Sequence, residues 1–452
     1  MTYTLVSVSK ASLLLIALLA ACSGPGAVAS LAPVAPASVT KAKPVPVAPR
    51  QAPERTVVEY VFPPPSSIAF AHLDADGDLL IAPSLRAPMS FGDAALNPST
   101  LDPGFYAIKL KRDGSIRWSL QLSANTEGHA SSVAVDGSGN IYLAGSFARE
   151  LRVGETAVQS AGDRDAFILS LTTEGTLRWM NTLGGAARET ALSLSLSEDA
   201  NRVAIGGWAE STFTFLGTRY SGRGSARDGF VATYDLAGGP LWCKRIGGRG
   251  MEHVTAVAFD RDELAVAGYF TDKIELAADT LSSSGTYDMF LARYDASGNL
   301  AWHRKWGSPK RDYLNAMRIL ADGSIALAGN SEDDLALGGT TFPARGDWDT
   351  LLWKVGPLGG DQGAHRIGGI GSEWATHLSQ DGPLKVFGVA RGDVNLGFGD
   401  LPAGASEQAF AITIDDEFRI ARGDRQSFAA TFPTGTSEVV LGKTEMGTTL
   451  RY

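Results

Sequence analysis

The alternation of apolar and polar positions is clearest over residues 288–307, DMFLARYDASGNLAWHRKWG. Phe290, Ala292 and Tyr294 fall on one alternating set, which predicts a strand over 289–294, and a second strand follows over 300–306. Between them Asp295-Ala296-Ser297-Gly298-Asn299 carries the residue types that a tight reversal needs. The pattern returns along the chain, anchored on Phe105, Phe167, Phe230, Phe290, Leu351 and Phe410, at spacings of 62, 63, 60, 61 and 59 residues. Such recurrence makes the chain an array of one unit and overrides the domain count that its 452 residues would otherwise invite.

Within the unit, Asp165, Asp228, Asp288 or Asp349 stands two residues before the anchor, and the second strand carries Trp118, Trp179, Trp242 or Trp302. A glycine break follows, then an acidic residue, then a third strand such as Ser132-Val133-Ala134-Val135. After a turn like Asp136-Gly137-Ser138-Gly139-Asn140 comes a fourth strand, Ile141-Tyr142-Leu143-Ala144-Gly145. A connection of about 20 residues returns to the next anchor and carries an apolar-x-apolar-Gly pattern (Val153-Gly154, Leu216-Gly217, Leu337-Gly338) that predicts a small extra ribbon.

Four short strands at constant spacing predict an all-β fold, a single β-propeller. Seven four-stranded blades follow from counting the innermost strand near Ile68, Val133, Leu192, Ala256, Ala316, Ala375 and Phe428. The lone strand over 56–62 is expected to pair beside 448–452 as the outer strand of the last blade, so that no sheet edge is left free.

The N-terminus is a targeting segment. Lys10 precedes an apolar run over 11–20 that is too short for a membrane-spanning helix of about 20 residues. Leu19-Ala20-Ala21-Cys22 resembles the lipobox of bacterial lipoproteins. That resemblance implies a signal peptide over 1–21, cleavage before Cys22 and lipidation of its thiol, which anchors the protein to the membrane. The alternative is an ordinary secretory signal with a cysteine by chance. Ser23 in place of Asp resembles the sorting signal for the outer membrane. Residues 22–55 then form a Pro/Ala-rich tether (Pro33, Pro36, Pro44, Pro46, Pro49, Pro53), and the propeller occupies 56–452. Only Cys243 remains besides Cys22, so no intramolecular disulfide is available, and Cys243 reads as a small buried apolar side chain.

The repeat itself resembles a family. Asp165-Ala166-Phe167-Ile168, Thr182-Leu183-Gly184-Gly185 and Gly139-Asn140-Ile141-Tyr142-Leu143-Ala144-Gly145 look like the bacterial β-propeller repeats called SBBP. The resemblance covers most of 57–452 and fades at the ends, where Pro103 and Gln408 replace the Asp and units five and six lack the Trp. It implies an exported propeller and brings no catalytic residue with it.

Charge and chemistry narrow the reading further. A net charge of -9 argues against a nucleic-acid groove, which needs a basic face. Glu127, Glu189, Glu252, Asp312 and Glu373 precede the innermost strands, which in a propeller places them around one mouth of the axial channel. They could hold a cation there, Ca²⁺ being the one possible cofactor, or they could accept backbone N–H bonds from the neighbouring blade. Recurrence in every unit favours the second role. Asp74, Asp76 and Asp78 form an oxygen-rich loop that lacks the distal Glu of a calcium loop and sits where other units have a turn. His72, His129, His253, His303, His365 and His377 show no zinc spacing, and no nucleophile elbow, P-loop or dinucleotide fingerprint occurs. The expected function is a non-enzymatic envelope scaffold that binds a protein or glycan. An envelope enzyme or assembly factor of the quinoprotein type is the alternative, because 294–302 resembles its Trp-docking repeat. Arg304, Lys305, Lys310 and Arg311 make one unit locally basic and the first place to look for a partner.

Overall fold

The computed structural model describes residues 59–451 apart from 63–66, 75, 86–87, 92–93, 97–103, 124–127, 211, 222–226, 380–382, 392–393, 396–399, 402–407, 427–429, 435–436 and 445–446. Its regular elements are all strands. The signal segment, the tether with Cys22, and Glu127 and Phe428 lie outside the described residues.

Among the described residues the strands build seven antiparallel sheets, six of four strands and one of six, in which the ribbon Lys273–Leu276 with Asp279–Ser282 extends the edge at Pro240–Gly248, and in all but the last sheet spatial order follows chain order. The second sheet is representative, with His129–Val135, Ile141–Phe147, Asp165–Leu171 and Leu177–Leu183 paired in succession. The sheet boundary falls inside the sequence unit. The anchor and Trp strands finish one sheet, and the acidic-led strand opens the next, because the chain leaves the ladder at the glycine break. In the last sheet Ala430–Thr434, Ser437–Thr444 and Gly447–Arg451 are joined by Glu59–Phe62, with Glu59 opposite Arg451 and Phe62 opposite Thr448.

The connections between second and third strands are two-stranded ribbons, for example Phe213–Phe215 with Thr218–Tyr220. A two-residue reversal closes that ribbon, where Leu216 and Gly217 both adopt positive φ (50° and 73°), the twist that suits a tight hairpin.

Core packing lies between sheets. Buried side chains such as Phe105, Leu143, Phe147, Phe167 and Leu169 from two successive sheets form one cluster, and like clusters recur along the array. The Trp column clamps neighbouring sheets together. The indole N–H groups of Trp118, Trp179, Trp242 and Trp302 donate to the carbonyls of Thr173, Leu236, Ala296 and Pro357 in the next sheet's turn, at 2.9, 2.9, 3.2 and 3.1 Å. Each ring lies against a turn glycine (Gly175, Gly238, Gly298 or Gly359) at φ between 79° and 90°, where an added β-carbon would come within 2.6–3.1 Å of the indole. Glycine is therefore required twice over at that turn, once by backbone and once by the ring.

Candidate functional site

Two side-chain systems gather where the acidic-led strands begin. The first is the pair of repeated carboxylates. Asp165, Asp228, Asp288 and Asp349 start the third strands and Glu189, Glu252, Asp312 and Glu373 start the first strands of the next sheets, and all are buried. The four acidic residues that open these strands have no exposed surface at all (0 %). Their carboxylates meet protein instead of a channel. Glu189 accepts the Gly185 N–H at 2.8 Å, Asp312 that of Ser308 at 2.6 Å and Glu373 that of Gly369 at 3.3 Å, each donor coming from the end of the preceding sheet. The Asp column caps its own incoming loop, Asp165 accepting from Ala161 at 2.9 Å, Asp288 from Ser284 at 2.8 Å and Asp349 from Arg345 at 2.9 Å.

Three of the Asp residues also hold a cation seventeen residues on: Arg245 on Asp228, Lys305 on Asp288 at 2.7 Å and Arg366 on Asp349 at 2.6 Å. Thr182 occupies that place after Asp165. The repeated glycine is explained here, because a β-carbon at Gly184, Gly247, Gly307 or Gly368 would overlap the Asp carboxylate. Two buried carboxyls thus stand with at most one paired cation in each repeat. Burial first, and then the Asp349 charge, push Glu373 up to about 8. Glu252 moves up for the same reasons, with burial ahead of Asp228, and burial raises Asp312 and Asp165.

Asp74 accepts the backbone N–H groups of Asp76 and Asp78 at 3.0 and 2.9 Å and pairs with Lys109 at 2.8 Å, while Asp78 pairs with Arg117. That loop is wired as a turn. Among the described residues no group of three or more His, Cys, Asp or Glu could hold a metal ion. Cys243 is buried without a disulfide partner. The locally basic residues are largely occupied: Lys305 by Asp288, Arg311 by Glu332 at 2.7 Å, and Arg304 by the Gly359 carbonyl.

The second system is aromatic and was not singled out from sequence. Trp208, His253, Tyr269, Tyr287, Tyr313, Trp348 and Trp374 form an unbroken belt across four sheets, with neighbouring ring centroids 4.8–5.7 Å apart. All but His253 are partly exposed. The guanidinium of Arg227 lies 4.1 Å from the Trp208 centroid and that of Arg311 lies 5.1 Å from the Trp348 centroid. These residues flank the buried acids in register. Tyr287 and Trp348 immediately precede Asp288 and Asp349, and His253, Tyr313 and Trp374 immediately follow Glu252, Asp312 and Glu373. Trp208 and Tyr269 pair across the ladder with Thr190 and His253. The signal lay in those columns, where the repeat holds its framework residues and changes their neighbours.

No family model matches the chain. The regulatory protein FlaEY of Caulobacter vibrioides is 25% identical over 183 residues, a stretch that is 39% of this chain and only 19% of that protein. Among solved structures, BamB from Moraxella catarrhalis is similar with a TM-score of 0.36 and 14% identity, over 85% of this chain and 82% of that one. The Pan2 WD40 domain of Neurospora crassa is similar with a TM-score of 0.44 and 8% identity, over 89% and 94% respectively. Both are β-propeller proteins. Likeness at this level transfers no ligand and no activity.

Proposed function

We propose that this chain is an exported lipoprotein whose SBBP-type repeats form one closed seven-bladed propeller, and that the propeller is a non-enzymatic scaffold binding a protein or glycan at the cell envelope. The aromatic belt carries the binding role. Large, contiguous, partly exposed aromatic surface flanked by arginine is the composition of binding hot spots. No catalytic constellation accompanies it among the described residues, since the nearby carboxyls are buried and committed to the loops they cap. Anchoring is supported by the lipobox-like Leu19-Ala20-Ala21-Cys22, and outer-membrane sorting by Ser23.

Closure is supported by the pairing of Glu59–Phe62 with Gly447–Arg451 and by the packing of Ser67–Leu73 beside Ala430–Thr434, which brings the first sheet next to the last. Deleting 56–62 is expected to lower the thermal midpoint sharply by opening that sheet. An unchanged midpoint sinks the closed ring.

The binding role is tested with the full chain incubated with solubilised envelope. The wild-type protein is expected to retain a specific component that Tyr313→Ala loses, and Cys22→Ala is expected to leave the membrane fraction. Equal retention by wild type and Tyr313→Ala overturns the belt as the binding surface.

A further inference from the structure

The cation that follows the repeated Asp by seventeen residues differs in one repeat. It is an arginine at Arg245 and Arg366, but between them it is Lys305. A guanidinium stays protonated and can only pair, whereas an amine that gives up its proton is a nucleophile. Lys305 Nζ lies 2.7 Å from Asp288 Oδ2 and 2.6 Å from Ser284 Oγ, so it already touches the carboxyl whose Cγ it would attack. Both residues belong to one antiparallel strand pair, in which Phe290 stands opposite Lys305. Gly307 makes room for the carboxyl, because a β-carbon there would overlap Asp288.

An ion pair alone does not condense, since a third group must carry protons between its members. The same site holds one. Asp312 has no exposed surface and accepts the Ser308 N–H at 2.6 Å, so its carboxyl lies against the peptide that follows the glycine covered by Asp288. Its Oδ1 is buried without a hydrogen-bond partner among the described residues, which leaves that oxygen free to hold a proton. Burial, and less strongly the Asp288 charge, raise Asp312 above its ordinary value and keep the proton there. Two other lysine–aspartate pairs are about as short, Lys109 with Asp74 at 2.8 Å and Lys354 with Asp322 at 2.9 Å. Neither has this arrangement. Asp322 is 57% exposed, and Asp78, the buried acid four residues from Asp74, is taken by Arg117.

We propose that Lys305 and Asp288 join in an intramolecular amide bond, an isopeptide link, with Asp312 as the proton relay. Asp312 passes its proton to the Asp288 carboxylate and takes one from the Lys305 ammonium, leaving a neutral amine beside a neutral acid. Nζ then attacks Cγ. The adduct gives a nitrogen proton to Asp312, which returns one to the departing hydroxyl, and that hydroxyl leaves as water. One C–N bond forms, one C–O bond breaks, Asp312 ends protonated as it began, and nothing is oxidised or reduced. The reaction removes two charges from a site where Asp288 is fully buried, and the 26% exposure of the Lys305 side chain gives the water an exit. Such a link needs no oxidant, and Cys243 has no disulfide partner among the described residues. The bond does not depend on what the aromatic face binds.

Tryptic mapping of the full chain tests it. The wild-type protein is expected to yield peptide 274–293 branched to 305–310, at one water less than their summed mass, because trypsin does not cut after an acylated Lys305. This readout needs no variant. Lys305→Arg restores the residue type of the sister repeats and keeps the ion pair, and it is expected to yield 274–293 only as a free peptide. Asp312→Asn, which keeps the shape and loses the relay, is expected to do the same. Free 274–293 as the sole product from wild type, a branch that joins other residues, or a branch that persists in Asp312→Asn overturns the inference.

Discussion

Replacing Arg366 by Met is expected to destabilise the protein by about 3–5 kcal/mol, the usual result of removing one member of a buried ion pair. Arg366 and Asp349 have side-chain exposures of 2% and 0%, and the guanidinium lies 2.6 Å from the carboxylate. The same guanidinium also donates to the carbonyls of Asp333 and Phe342, at 3.0 and 2.8 Å, so it ties the ribbon to the edge of its sheet. Met fills a similar volume, so the loss is that of the ion pair and of the two hydrogen bonds to the Asp333 and Phe342 carbonyls, not of packing. Asp349 would remain buried beside Glu373 with no cation. Urea denaturation measures the change, and the double variant Arg366→Met/Asp349→Asn is expected to recover part of it, since the stranded charge is gone. A single variant within about 1 kcal/mol of wild type would show that the pair contributes little.

That ion pair marks the limit of what could be read from the chain. The strands, the opening strands near Ile68, Val133, Leu192, Ala256, Ala316 and Ala375, and the partner of the 59–62 strand follow from alternation and spacing, because period-two patterning and turn chemistry are local properties. The ribbons followed from the apolar-x-apolar-Gly motif, whose hairpin twist is equally local. The recurring Asp, Trp and Gly were legible as framework, yet the contact that makes them one unit was not. Asp349 and Gly368 are nineteen positions apart, and only the fold shows that the carboxylate occupies the space a β-carbon would need. Burial of the acidic column was hidden for the same reason, since a carboxylate at a channel mouth and one beneath a neighbouring loop have identical spacing. The belt went unnoticed because its members come from three different columns, each aromatic in only two or three copies. Tyr313, for example, meets Tyr269, Tyr287, Trp348 and Trp374 only when four sheets are laid side by side.

Thermal stability is expected to fall as pH rises from about 6.5 to about 8, opposite to the rise that paired carboxylates produce in acid. Glu373, pushed up to about 8 from an ordinary 4.5, binds a proton in the folded state that it loses in the unfolded one, and Glu252 is shifted the same way. A carboxyl raised in the fold contributes fully below its unfolded value, and that contribution is lost as pH climbs to the folded value. Each such group costs about 1.4 kcal/mol per pH unit across the window. The histidines act lower down. His253 and His377, both held near 4 chiefly by burial, bind protons preferentially when unfolded, so they raise stability with pH only up to about 6.5. Asp322, lowered to about 2 by its bonds to Ser324 and Lys354, titrates lower still. Above 6.5 the buried glutamates are left to set the slope. Glu373→Gln keeps the shape and the hydrogen bond from Gly369 without a titrating proton, so its midpoint is expected to change less between pH 6.5 and 8, and Glu252→Gln/Glu373→Gln is expected to be nearly flat. Calorimetric midpoints across that range decide the matter. A wild-type midpoint that holds or rises would mean that these carboxyls are already ionised at neutrality, and that each cation in the array is balancing two charges instead of one.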